Sequence, residues 1–361
     1  MILAKQAKKI ATNQGGGAMR RRLRIHLLLL LVLSVIWAPC RLSWAADPVA
    51  TLKVSNWFPV GHKQDALLQQ WGKDLEERSG GKVKVNYYAG GTLVPAAQSY
   101  DAVVKGIADV SNHVMGYTMG RFPFSQVLDL PIGFPPGPGP TRLANEVYQK
   151  FKPKEFEDVK VLWFHAMPYG LMHTKTKPVK TLEDVKGMKL RCFGSNAKFV
   201  GLLGAAPVAM PMPEVYDALS KGVVDGLMSS YEALHGFRTG EHIQYCTENL
   251  GSAYSAAFVV AMNKKKFASL PPDIQAIIDR MSPEYIEKYG QMWADIDTTG
   301  KDWLAKRGVE FISLSAEEES RWYDQGAKPI VENYIADMKA KGLPGEEAVN
   351  FLLESFKAYK K

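Results

Sequence analysis

Side chains that carry chemistry are plentiful in this chain of 361 residues, but their spacing does not suit catalysis. His165 and His173 stand eight positions apart, unlike the paired ligands of a His-Glu-x-x-His zinc helix. No Gly-x-Ser-x-Gly elbow presents a serine nucleophile. Glu76-Glu77, Glu155-Phe156-Glu157 and Glu317-Glu318-Glu319 read as solvated helix faces. Gly15-Gly16-Gly17 precedes a leader-like segment, so it cradles no phosphate. Cys192 and Cys246 lack metal-ligand spacing; a disulfide and two buried thiols both remain open for them. What is left is recognition chemistry. Arg191 closes the strand-like run Met188-Lys189-Leu190-Arg191-Cys192, just before Gly194. A guanidinium there offers parallel N–H donors to a carboxylate and stays charged when partly buried. A structural ion pair is the plainer alternative. His62 and His113 are either cleft donors or satisfied polar side chains.

Such an arginine needs elements to aim it. Leu52-Lys53-Val54-Ser55 reads as a strand, and residues 64–78 as an amphipathic helix with Leu67, Leu68, Trp71 and Leu75 on one face. Val83, Val85 and Tyr87 alternate in a second strand. Val161 to Phe164 and Phe258 to Asn263 read as further strands, the second returning to the first lobe. The stretch Pro131 to Pro140 is expected as a surface crossing, because proline fits neither helix interior nor central strand. Pro271-Pro272-Asp273 opens a long helical region to about Arg307.

One pattern occurs twice. Tyr100 to Asp109 and Tyr216 to Asp225 share six of ten residues, 116 positions apart, with Pro95 and Pro211 at the same offset. Each copy reads as a short helix, a Lys-Gly stop and a strand. The expected fold is therefore α/β and two-lobed, with a ligand cleft beyond the strand ends.

The first 45 residues distort the composition. Arg20-Arg21-Arg22-Leu23-Arg24, the apolar run from Leu27 to Ala38 and Ser43-Trp44-Ala45 together describe a secretory signal peptide at 1–45, with Met19 an alternative start. Cys40 follows Trp37-Ala38-Pro39, a poor context for a lipid anchor. That segment holds eight basic and no acidic residues, so the formal +8 charge falls to 37 of each sign. A neutral mature chain has no electrostatic case for nucleic acid.

Residues 182–226 carry more. They include Lys189-Leu190-Arg191, Gly204-Ala205-Ala206-Pro207-Val208, Met210-Pro211-Met212-Pro213-Glu214-Val215-Tyr216 and Gly222-Val223-Val224-Asp225-Gly226. With Gly80 to Val85, Leu128 to Pro131 and Lys264 to Pro271, they resemble the solute-binding proteins of tripartite ATP-independent periplasmic (TRAP) transporters, of the dicarboxylate-binding (DctP) type. The resemblance implies a periplasmic-binding-protein-like fold with a long bracing helix: lobe I from 46–173 plus about 255–293, and lobe II from 174–254 plus about 294–361. It implies a periplasmic receptor, not an enzyme, that passes a small organic carboxylate to small and large membrane subunits. An exported binding protein serving a sensor, or an exported enzyme acting on an organic acid, are the rival readings.

Arg191 matches the family arginine that clamps the ligand carboxylate. Aligned positions place Trp57, Val114, Tyr117, Met212 and Ser229 at the ligand, and Phe58 and Met115 beside them. Val114 and Tyr117 replace a glutamate and an arginine of the sialic-acid-binding relatives; Met212 and Ser229 replace a phenylalanine and an asparagine. The polar grips for a sugar acid are missing, so the expected ligand has an apolar or aromatic body. Met228 and Ser229 stand where metal-using relatives carry Glu-Trp, so neither metal nor other cofactor is expected. Lys177 lies near a second basic position of many relatives.

Overall fold

The computed structural model describes residues 49–359; the signal-peptide reading falls outside them. Strand β1 (Ala50–Ser55) buries Leu52 and Val54 on either side of the half-buried Lys53. The helix Lys63–Arg78 follows, its first turn capped by His62, whose Nδ1 accepts the Gln64 N–H at 3.2 Å. Leu68, Trp71 and Leu75 form its buried stripe. β2 (Val83–Tyr88) then pairs parallel with β1.

The sequence repeat is a structural repeat. Helix Ser99–Val104 leads into β3 (Val110–Val114), and helix Val215–Ser220 leads into β8 (Gly226–Ser229). Gly106 and Gly222 hold φ of 73° and 70°, the left-handed turn that lets each chain leave its helix. The hydrogen bonds match as well. Asp109 Oδ2 accepts the Lys53 N–H at 2.7 Å, and Asp225 Oδ2 accepts the Lys189 N–H at 2.8 Å. In both copies the aspartate ties its strand to the middle strand of a parallel trio. The trios are β2-β1-β3 and β7 (Ala206–Ala209), β6 (Lys189–Cys192), β8.

Each trio is completed by antiparallel strands. β10 (Ala257–Asn263) lies between β3 and β4 (Val159–Ala166), giving the order β2-β1-β3-β10-β4. β5 (Leu171–Thr174) lies between β8 and β9 (Tyr245–Glu248), and β11 (Glu310–Ser313) closes the second sheet as β11-β9-β5-β8-β6-β7. The chain therefore crosses between sheets at 167–170 and 249–256. Because β5 starts at Leu171, the first crossing lies upstream of the 173/174 division.

The long helix Pro272–Lys306 braces both lobes. On the first, Tyr285 Oη donates to Asp74 at 2.8 Å and Trp293 Nε1 donates to His165 Nδ1 at 3.0 Å. On the second, Asp297 Oδ1 accepts the Glu232 N–H at 3.0 Å and Lys301 pairs with Glu248 at 2.6 Å. The C-terminal helix Gly345–Tyr359 returns to the first lobe, with Phe356 5.0 Å from Phe134. Its place differs from the lobe II position expected for 294–361, because its apolar face fits the helix Gly139–Phe151. The proline-rich segment reaches the surface only at 136–138, not along the whole crossing expected. Pro131 to Pro135 are buried, and the Gly133 and Phe134 N–H groups both donate to Ala253 O. Proline leaves few N–H groups to satisfy, so such a segment is cheap to bury.

Candidate functional site

Arg191 points from β6 into the space between the sheets and is only 1% exposed. Its Nε donates to Met210 O at 3.0 Å and its Nη1 to Met228 O at 3.4 Å. Nη2 is buried and has no partner among the described residues. The guanidinium lies 4.9 Å above the Phe193 ring. Two of its nitrogens are thus anchored to backbone, and one is free. The fully available fork expected from sequence is reduced to that free end. Two tyrosines stand nearby. Tyr117 Oη accepts the Met212 N–H at 3.0 Å, a bond between lobes. Tyr254 Oη is buried without a partner. Burial pushes both phenols upward, against the pull of Arg191, so both stay protonated. A free guanidinium nitrogen and a free phenol are donors awaiting an anion.

Aromatic rings wall the space. Trp57, two residues past β1, stacks on Phe58 at 4.0 Å. Phe237 lies 6.0 Å away, Phe258 6.5 Å and Tyr117 5.9 Å. Trp293 of the long helix packs 5.5 Å from Phe258. Water centres can occupy about 30 Å³ of this space, room for roughly two or three waters between the packed rings.

A carboxylate stands in the same wall. Glu232 follows β8, and its Oε1 lies 2.6 Å from His62 Nε2, both side chains 4% exposed. The contact is close but off the line of a well-formed hydrogen bond, so Oε1 still lacks an aligned donor. Because His62 Nδ1 is an acceptor toward Gln64, the ring proton sits on Nε2 but is not aligned with Oε1. Asp297 behind it is pushed up to about 7 by burial.

The structure brings Arg191, Trp57, Phe58, Val114, Tyr117, Met212 and Ser229 to this one cavity. Met115 is left out. It turns into a separate small cavity beside Gly116 and Phe122, because the chain leaves β3 at Val114 and winds into the 3₁₀ turn Met115–Tyr117. Lys177 is at the surface, its Nζ donating to Asp184 O at 2.6 Å. His113 is bonded to Ser99 and Thr118 and pushed down to about 3 by burial. Cys192 and Cys246 are free and buried. Two strands separate β6 from β9, so the thiols are roughly 14 Å apart, beyond disulfide reach.

Phe193, Phe237, Tyr254, Phe258, Trp293 and Glu232 also line the cavity without having been singled out. Only Phe193 had a usable signal: it follows β6 as Trp57 follows β1. Ser230 Oγ is engaged in accepting the Ala233 N–H at 3.4 Å. Among the described residues no three His, Cys, Asp or Glu side chains gather as a metal site. The arrangement grips an anion at one end and an apolar body beyond it.

Comparison with known proteins agrees with this layout. The family of bacterial extracellular solute-binding proteins, family 7, matches residues 55–337. A TRAP solute-binding protein from Rhodoferax ferrireducens T118, solved with copurified benzoate, is 28% identical with a TM-score of 0.79, over 86% of this chain and 98% of that one. One from an unidentified marine microbe, specific for aromatic acid ligands and solved with metahydroxyphenylacetate, is 28% identical with a TM-score of 0.81, over 86% and 100%. One from Bordetella bronchiseptica, with bound mandelate, is 29% identical with a TM-score of 0.78, over 86% and 98%.

Proposed function

Since the chain belongs to the bacterial extracellular solute-binding proteins of family 7, we propose that it is the receptor of a TRAP transporter and captures a small aromatic carboxylic acid. The observation that carries this reading is the pair of unpartnered buried donors, Arg191 Nη2 and Tyr254 Oη, in a cavity otherwise walled by rings. Leaving such donors dry is costly, and a bound carboxylate satisfies both. The benzoate, hydroxyphenylacetate and mandelate of the similar proteins support the same ligand class. Trp57, Phe58, Tyr117, Phe237 and Phe258 receive the ring of the ligand, with Val114, Met212 and Ser229 closing the space around it. Residues 1–45 act as the export signal, and the closed form delivers its ligand to the small and large membrane subunits.

Calorimetry with a matched pair tests the ligand class. Benzoate or mandelate should bind, and a hexuronic acid should bind far more weakly. Tighter binding of the hexuronic acid would overturn the aromatic assignment.

A further inference from the structure

A purely apolar pocket for an aryl acid has no use for a second charge, yet this cavity contains one. Arg191 and Glu232 both line it. They do not pair; rings link them instead. Arg191 lies over Phe193, Phe193 meets Tyr117 at 5.3 Å, and Tyr117 meets Trp57 at 5.9 Å. Trp57 then meets Phe237 at 6.0 Å, and Phe237 meets His62, the partner of Glu232, at 5.4 Å. The cavity has a cationic end, an aromatic middle and an anionic end. A buried carboxylate oxygen without an aligned donor is expensive. His62 faces Glu232 from the other lobe, and that contact leaves Oε1 without an aligned donor. A donor on the ligand would complete it.

A second orphan decides which donor. Trp57 Nε1 is buried without a partner and belongs to the same cavity. A hydroxyl can donate to the carboxylate and accept from an indole N–H at once. An ammonium satisfies the carboxylate but offers the indole nothing. We propose that the cavity is selective for hydroxyl-bearing aromatic acids: Arg191 and Tyr254 hold the carboxylate, and Glu232, positioned by His62, accepts the hydrogen bond of a ring hydroxyl at the far end. This inference rests on the aromatic-acid reading and adds selectivity to it. A site built around a ligand hydroxyl rejects the analogue that lacks it, because its own buried groups are then stranded.

Calorimetry on the mature protein separates the two readings. The ligands are benzoate and phenylacetate, their 3- and 4-hydroxy derivatives, and 4-(aminomethyl)benzoate. In the unsubstituted protein at least one hydroxy acid should bind about tenfold or more tighter than its parent, as for a hydrogen bond to a charged group. In Glu232→Gln that ratio should fall to within about threefold, with circular dichroism verifying the fold. Should Glu232→Gln fail to fold, His62→Gln provides the second variant, and the ratio should shrink there too. If parent and hydroxy acids bind equally well to the unsubstituted protein, the selectivity is overturned and the receptor reading stands. Tighter binding of the aminomethyl acid than of any hydroxy acid would also overturn the hydroxyl assignment. If no aromatic acid binds, the aromatic-acid assignment itself falls.

Discussion

Arg191 is held before any ligand arrives, and that changes what its removal should do. Arg191→Ala removes the anion's partner, expected to cost about 2–5 kcal/mol of affinity. It also strands the Met210 and Met228 carbonyls, so the urea midpoint of the ligand-free protein should fall as well. Arg191→Lys keeps the charge but cannot hold two carbonyls and an anion at once, and should lose affinity too. Full affinity in Arg191→Ala, measured by calorimetry, would eliminate the clamp. Tyr254→Phe is the cleaner probe. Its hydroxyl bonds nothing in the ligand-free protein, so stability should hold while affinity drops roughly tenfold. A drop in stability with unchanged affinity would mean that Tyr254 only packs. Most of this site was legible because Arg191, Trp57, Val114 and Ser229 lie at or just past strand ends, where a motif fixes position. Tyr254, Phe258 and Trp293 were not, because they come from crossing strands and the brace. Their approach to the cleft is decided by tertiary packing. Met115 was misplaced because the chain winds into a 3₁₀ turn at that residue, which its neighbourhood to Val114 does not reveal.

At the level of elements, the crossing at 167–170 is bonded as well as bent. Gly170 N–H donates to Tyr254 O at 2.7 Å, so the two crossings are tied together. A Cβ on Gly170 would run into the Tyr254 ring. Gly170→Ala should therefore push that ring into the cavity and weaken binding more than it lowers the unfolding midpoint. Calorimetry and urea titration on one preparation compare the two, and unaltered affinity would mean that the ring moves aside elsewhere. The repeated helix-glycine-strand unit was readable from ten residues because its parts are local: a cap, a left-handed glycine and a tethering aspartate. The 35-residue brace followed from apolar spacing that is equally local, whereas the parallel trios around each unit did not. The buried run Pro131 to Pro135 did not. Proline content says which hydrogen bonds a segment cannot make, but not what covers it.

Across the whole molecule, two buried acids pull against buried histidines. Asp129 is pushed up to about 7 by burial, against the Ala257 N–H that it accepts at 3.0 Å; Asp297 is also pushed up to about 7. Both bind a proton in the folded state that the unfolded chain releases above about pH 4, so their stabilisation is complete below that and lost as pH rises toward 7. His113 and His173, pushed down to about 3 and about 4, work oppositely, losing stability as pH falls below about 6.5. Asp129→Asn keeps the acceptor for Ala257 without the titration. Its urea midpoint relative to the unsubstituted protein should improve from pH 5 to pH 8; a difference flat in pH would show that Asp129 stays ionised throughout. The export reading has its own check: N-terminal sequencing of the periplasmic protein should begin near Ala46, and an intact N-terminus in the cytoplasm would refute it. The place of β10 bears on that journey. The first sheet cannot close when its own segment has been synthesised, because the strand between β3 and β4 begins about 90 residues after β4 ends. A nascent chain stopping at residue 254 should stay open to protease, while one extended past residue 263 can begin to resist. On the export reading, the N-terminal half would stay threadable until then, as a translocation channel requires, and β10 would act as a timer that holds back folding until most of the chain has been made.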